Sequence, residues 1–235
     1  MEYNIKLHAA QASVLHTLRH ATRARYGELR KPTGLESDIF KYHLGKLLKT
    51  HYIVKAEDGL YELTAEGKEF ANRLDEKNGR EIEQPKPSML LVISSERDGI
   101  TYYLGHRRTR EPFRDFWGIG SAPVLRGVTI CDSAVREVKK QTGLTIKPEI
   151  VGFFRVIDRS DRGRVLEDKL FALLYASVDN CPQPIYWYGG ESVWLTRSEL
   201  LAKPKLFPTT KAALDMAENR TSFAETTCIY CIDEY

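Results

Sequence analysis

The sequence predicts an α+β chain of two units: a small helical unit closed by a β-hairpin, then an α/β/α sandwich around a mixed sheet. Three observations predict it. Apolar residues recur at helical spacing through the first part of the chain and switch to a period of two between Tyr52 and Leu63. A polar stretch with Pro85 and Pro87 follows. Beyond it, apolar runs of strand length alternate with amphipathic stretches of helix length.

A chain of 235 residues holds two ordinary cores, and 42% hydrophobic with 29% charged residues is the balance of a globular protein. No apolar run approaches the roughly 20 residues that span a bilayer, and MEYNIKLHAAQ has no apolar signal core, so no membrane partner and a cytoplasmic location are expected. The net charge of +3 is unevenly distributed. Residues 1–55 carry ten Lys/Arg against four Asp/Glu, whereas 56–80 carry four against seven. Five of the six histidines also precede residue 52. The basic excess is confined to the first unit, where it suits an anionic polymer.

Taken in order, Leu7 to His20 carries a helical stripe of Leu7, Ala10, Val14, Leu15 and Leu18. Tyr26 to Leu29 forms a short helix stopped by Lys31-Pro32 and Gly34. Ser37-Asp38 opens a helix to about His51 whose apolar face is Phe40, Leu44, Leu47 and Leu48. Two short strands, Tyr52–Lys55 and Leu60–Leu63, flank a turn at Glu57-Asp58-Gly59. Thr64 then caps a closing helix through Phe70, Ala71 and Leu74.

This order, and the wording SDIFKYHLGKLLKTHYIVKAEDGLYELTAEG, resembles the winged helix-turn-helix regulators of the ArsR and MarR type. The resemblance implies that the helix from Ser37 enters the major groove of double-stranded DNA. Ser37, Asp38, Lys41 and Tyr42 then face base edges. Lys46, Lys49, Arg23, Arg25, Arg30 and Lys31 become phosphate contacts. Asp38 is repelled by phosphate but can accept from cytosine N4. A docking module for another protein is the alternative.

The expected domains are 1–78, a linker at 79–87, a second domain at 88–220 and a tail at 221–235. In the second domain, strands are expected at Ser88–Ser95, Ile100–His106, Val151–Asp158 and Leu170–Val178. A charged loop, DRSDRGRVLED, joins the last two. The stretch from Trp117 to Leu144, WGIGSAPVLRGVTICDSAVREVKKQTGL, contains a helix over Ile130–Thr142 closed by Gly143, with Ala134, Val135 and Val138 buried.

That stretch resembles a degenerate Nudix box. Arg136-Glu137-Val138 and Gly143-Leu144 fit the family pattern, whereas its glycine falls on Ala122, its first glutamate on Val128 and its paired glutamates on Lys140 and Gln141. The resemblance extends over about residues 88–217, with Trp117 before a glycine-rich turn and Trp194 on a late strand. It implies a Nudix-type α/β/α sandwich with a mixed sheet. Nudix enzymes hydrolyse nucleoside diphosphate derivatives with Mg²⁺ or Mn²⁺ held by carboxylates. With three of four carboxylates replaced, no metal and no other cofactor is expected, and Lys140 repels a divalent ion.

Arg107, Arg108, Arg110, Arg114 and Arg126 precede the box helix, where the resemblance places a diphosphate. With Glu137 and Lys140 they form the expected ligand site, and Tyr186, Trp187 and Tyr188 are candidates for stacking. Cys228 and Cys231 make one CxxC, too few ligands for zinc, so the tail reads as a redox pair or an unstructured end. The combination implies a dimeric transcription regulator that senses a nucleotide-like or phosphorylated sugar metabolite. The alternative is an active Nudix hydrolase using Glu137, with Asp132, Glu167 or Asp168 in place of the missing carboxylates.

Overall fold

The computed structural model describes residues 7–75, 82–179 and 184–235. It divides into two compact units, Met1–Glu83 and Gln84–Tyr235. Residues 76–81, which span the end of the expected first domain and the start of the expected linker, and Cys181 lie outside the described residues.

In the first unit, α1 (Ala9–Ala21) starts where His8 Nδ1 accepts from the Ala10 amide and the Gln11 side chain reaches back to the His8 amide. A short β1 (Arg23–Ala24) leads to α2 (Tyr26–Arg30), which tightens into a 3-10 turn at Lys31–Thr33 and stops at Gly34. Next come α3 (Ser37–Lys49), the hairpin strands β2 (Ile53–Lys55) and β3 (Tyr61–Leu63), and α4 (Ala65–Ala71). The sheet order is β1-β3-β2, antiparallel throughout. Leu15, Leu18, Leu29, Phe40, Leu47 and Ile53 meet in one core, so the helical stripes and the hairpin face the same interior.

Gly67 fixes the approach of α4 to this hairpin. A Cβ at this position would lie 1.8 Å from the Tyr52 carbonyl oxygen, which is backbone and cannot rotate away. Gly67→Ala is expected to destabilise the unit by about 3 kcal/mol or more. Gly45→Ala, on an open face of α3 with nothing within 4 Å, is expected to stabilise it by up to about 1 kcal/mol. Amide hydrogen exchange of α1 and α3 in the intact chain reads both, and equal protection in the two variants would contradict this packing.

The second unit is built from β4 (Lys86–Arg97), β5 (Ile100–Arg108), β6 (Trp117–Pro123), α5 (Ile130–Thr142), β7 (Glu149–Ser160) and β8 (Val165–Ser177). It continues with β9 (Ile185–Trp187), β10 (Gly190–Thr196), α6 (Arg197–Leu201), α7 (Thr209–Asn219) and β11 (Phe223–Tyr230). The strands form a mixed sheet of order β11-β7-β8-β4-β6-β5-β10-β9, with β4 also paired to β5. The pairs β4–β8 and β11–β7 are parallel. Alternation along β4 assigns the two faces. Leu90 and Val92 pack with Phe171, Leu173 and Leu214 of α7, while Met89, Leu91 and Ile93 pack with Ala134 and Val138 of α5. The sheet is therefore the middle layer of three.

Three expectations are corrected here. Residues 221–235 are not a separate tail. β11 runs parallel to β7 over Phe223–Tyr230, and Cys228 and Tyr230 are buried in the core. Cys228 points inward while Cys231 is exposed, and both are free thiols. The charged stretch from Asp158 is mostly strand and not a loop, because β7 and β8 extend to Ser160 and Val165 around a tight turn with Gly163 at φ 82°. Ser160 accepts from the Gly163 amide and donates its own to Arg164, which closes that turn. The glycine-rich turn after Trp117 is strand β6, and small residues there admit α7: a Cβ on Gly118 would sit 3.1 Å from Phe207 Cδ2 and 3.2 Å from Thr210 Oγ1.

Candidate functional site

A cavity of about 110 Å³ opens on the α7 side of the sheet. Its walls are aromatic, from Phe113, Phe171, Phe207 and Tyr230, and its ionisable groups come from four strands. β5 supplies His106 and Arg108, β7 supplies Asp158, β8 supplies Glu167 and Lys169, and β11 supplies Tyr230. A few directed polar groups in an aromatic pocket are the usual form of a small-molecule site.

Arg108 is the cation on the β5 side of this pocket, and Lys169 is the cation on the β8 side. Arg108 Nε donates to the Pro112 carbonyl at 2.9 Å, which fixes the guanidinium plane. Burial lowers its pKa and the neighbouring charge of Arg110 adds to that, yet an arginine stays protonated at neutral pH. His106 beside it is pushed down to about 4 by burial and then by Arg108, so it is neutral at pH 7. Its ring stacks on Trp187 at 5.7 Å between centroids, and its Nδ1 lies 3.4 Å from Ser192 Oγ.

The opposite wall is acidic. Asp158 is 7% exposed, and burial pushes its carboxyl up to about 6, with Glu167 adding to the shift while Lys169 and Tyr230 oppose it. Lys169 Nζ stands 3.4 Å from Glu167. Tyr230 hydrogen-bonds both Asp158 and Cys228 and has its own pKa raised, first by burial and then by the Asp158 charge. The Cys228 thiol is pushed up to about 11, chiefly by burial, which keeps it protonated and a poor nucleophile.

The structure separates the sequence-derived ligand residues. Arg107 and Arg108 are adjacent on a strand and face opposite sides; Arg107 pairs with Glu191 at 2.7 Å and Asp115 at 3.4 Å, away from the pocket. Arg110, Arg114 and Arg126 are exposed. Glu137 and Lys140 sit on α5, across the sheet from α7, with Lys140 Nζ 3.9 Å from Glu137 Oε1. Of the expected group only Arg108 lines the cavity. Of the carboxylates considered as replacements, Asp132 exchanges hydrogen bonds with Thr129 at the start of α5 and Asp168 pairs with Arg155 at 3.0 Å. Glu167 alone reaches the pocket.

A divalent ion does not fit the box positions. Val128 and Gln141 bring no charge, Lys140 brings the wrong one, and no group of three His, Cys, Asp or Glu able to hold a metal occurs among the described residues.

His106, Asp158, Lys169, Thr210 and Tyr230 escaped the sequence reading. Two of them were accessible by period: Phe154, Val156 and Asp158 share one face of β7, and Ala224, Cys228 and Tyr230 share one face of β11. An acid at the end of an apolar row is the signal.

In the first unit, Ser37, Asp38, Lys41, Tyr42, Lys46 and Lys49 are all exposed on α3, and Lys46 Nζ lies 4.6 Å from the centre of the Tyr42 ring. Arg25 and Lys31 are exposed beside α2. Two of the expected phosphate contacts have partners within the unit: Arg23 pairs with Asp58 at 3.0 Å and Glu62 at 3.1 Å, and Arg30 donates to the Leu35 carbonyl at 3.2 Å. The hairpin tip carries Glu57 and Asp58. No helix among the described residues is long and apolar enough to cross a membrane.

No protein-family model and no curated protein matches the chain. Among solved structures, the NUDIX domain of Shewanella oneidensis NrtR, determined in complex with ADP-ribose, matches with a TM-score of 0.52 at 16% identity, over 68% of this chain and 100% of that one. A MutT protein from Bacillus halodurans matches with 0.46 at 17% identity, over 64% and 93%. Shewanella oneidensis NrtR itself matches with 0.43 at 15%, over 57% of this chain and 63% of that one. The three-layer arrangement around the mixed sheet, with α5 on one face and α7 on the other, has the Nudix fold.

Proposed function

We propose that this chain is a transcription regulator, in which a winged helix-turn-helix binds double-stranded DNA and a Nudix-fold domain senses a metabolite. The metabolite is nucleotide-like or a phosphorylated sugar, and the Nudix box has lost metal-dependent hydrolysis. One observation carries the reading. The box helix retains Glu137 alone, with a lysine ammonium 3.9 Å away, while the pocket under α7 retains a half-buried arginine among aromatic walls. The site is suited to hold an anion and lacks the donor set that activates water.

For the DNA reading, the support is the exposed polar row of α3 on a unit with a basic excess. The acidic hairpin tip argues that α3, rather than the wing, carries the phosphate contacts. A dimer suits this function, because two recognition helices match two half-sites. The ligand regulates by binding the DNA-competent and incompetent arrangements unequally.

The test is a panel of ADP-ribose, nucleotide sugars and nucleoside triphosphates with Mg²⁺ or Mn²⁺. Turnover is expected to be no greater than that of Glu137→Gln. At about 100 times its Kd, a bound compound adds about 2.7 kcal/mol and raises the melting temperature of this domain by about 5 °C or more. ADP-ribose comes first, since it occupies the NUDIX domain of NrtR. A second reading, an active hydrolase, is favoured by the two cavity carboxylates Asp158 and Glu167. Turnover abolished by Glu137→Gln or by Glu167→Gln would establish it instead.

A further inference from the structure

Within the cavity, one polar atom has no partner although its residue is 93% buried. Asp158 Oδ1 receives no hydrogen bond, while Tyr230 bonds the same carboxylate. Such an orphan is costly, because a charged acceptor has left water without replacement. The adjacent ammonium does not fill the place, since Lys169 lies 3.4 Å from Glu167. Asp158 lines the pocket, so a turn of its carboxylate about the broad terminal torsion presents this oxygen to whatever enters.

We propose that Asp158 is a specificity-determining residue, whose Oδ1 accepts a hydrogen bond from an O–H or N–H group on the uncharged part of a phosphorylated ligand. This rests on the sensor reading and sharpens it. A carboxylate rejects the phosphate end by like charge, while Arg108 on β5 attracts it, so the two residues orient one molecule in one direction. The donor is a sugar hydroxyl or a base N–H, the two donor-bearing parts of a nucleotide sugar. A fully anionic ligand such as sulfate has nothing to offer Asp158.

The groups facing Asp158 are Glu167 and Lys169 on β8, Tyr230 and Cys228 on β11, and Tyr235 just beyond β11. An accepted hydrogen bond favours the ionised form, so binding lowers the Asp158 pKa. Affinity is full from about one pH unit above 6 and falls as pH drops through the free-state value of about 6, by about tenfold between pH 7 and pH 5. ADP-ribose is a suitable probe because its diphosphate bridge does not titrate in that window.

Calorimetric titration of the intact protein and of Asp158→Asn with ADP-ribose tests the assignment. Expected is a loss of affinity of about tenfold or more in the variant at pH 7.5, with the pH dependence between 5 and 7 abolished. The ligand-free variant should melt no lower than the parent, because a neutral isostere relieves the buried charge. Dependence on Asp158 that persists with ribose 5-phosphate assigns the donor to a sugar hydroxyl; dependence confined to adenine-containing probes assigns it to the base. Equal affinity of the two proteins, or a loss matched by a lower melting temperature of the free variant, overturns the assignment and leaves the sensor reading standing. Failure of the parent to bind any of these probes removes both.

Discussion

Replacing Lys46 and Lys49 together by Glu is expected to weaken binding to a random DNA duplex by more than about 100-fold at 100 mM salt. The slope of log affinity against log salt should flatten by about two units. Each phosphate neutralised releases counterions and contributes roughly 0.9 to that slope, so two lost contacts have a defined signature. Both lysines are exposed on the last turns of α3, where their loss leaves the Phe40, Leu44 and Leu47 face intact. Arg23→Ala provides the contrast. Its guanidinium is engaged by Asp58 and Glu62 at the surface, so the variant should lose at most about 1 kcal/mol of stability and leave the salt slope unchanged. If the lysine pair is replaced and the slope does not move, α3 is not a DNA-contacting helix and the docking-module alternative takes its place.

Deletion of residues 221–235 is expected to leave the second unit unable to fold. The deletion removes β11, which is paired to β7 along eight residues, and with it the buried side chains of Cys228 and Tyr230. Phe113 and Phe116 lose Tyr230 as an aromatic neighbour, and Phe113 also loses Tyr235, whose hydroxyl donates to the Leu166 carbonyl at 3.1 Å. Each buried side chain contributes about 1.5–3 kcal/mol, and the lost ladder adds to that. The deletion also bares β7 as a long, partly apolar sheet edge, which invites aggregation. Soluble expression and melting measure the outcome. A soluble truncated protein that melts within a few degrees of the parent would show that the strand is an accessory.

Tyr230 shows how the reading of the chain fell short. The run TTCIY near the C-terminus is five residues with modest apolar content, and its CxxC spacing drew attention to sulfur chemistry. Its strand period is legible only once a partner is known, because a short alternating segment is stabilised by the ladder beside it and not by itself. The same holds for the charged stretch after Asp158. Charge made it resemble a loop, yet the extension of β7 and β8 turns Asp158, Glu167 and Lys169 into strand residues with a common inward face.

The sequence by itself determined the local and repetitive features. It specified the box helix from Ile130 to Thr142 with its Gly143 stop, the capped α4, the hairpin of the first unit, and the loss of carboxylates at the box positions. Those depend on periodicity, capping and residue identity, which act within a few residues. Tertiary structure decided which arginine faces the pocket and that the last strand completes the sheet. It also brought one buried carboxylate from β7, one arginine from β5 and one tyrosine from β11 into a common cavity. The physical reason is that strand order and face are set by pairings between distant segments. A shift of one residue exchanges Arg107 for Arg108, and no local pattern carries that information.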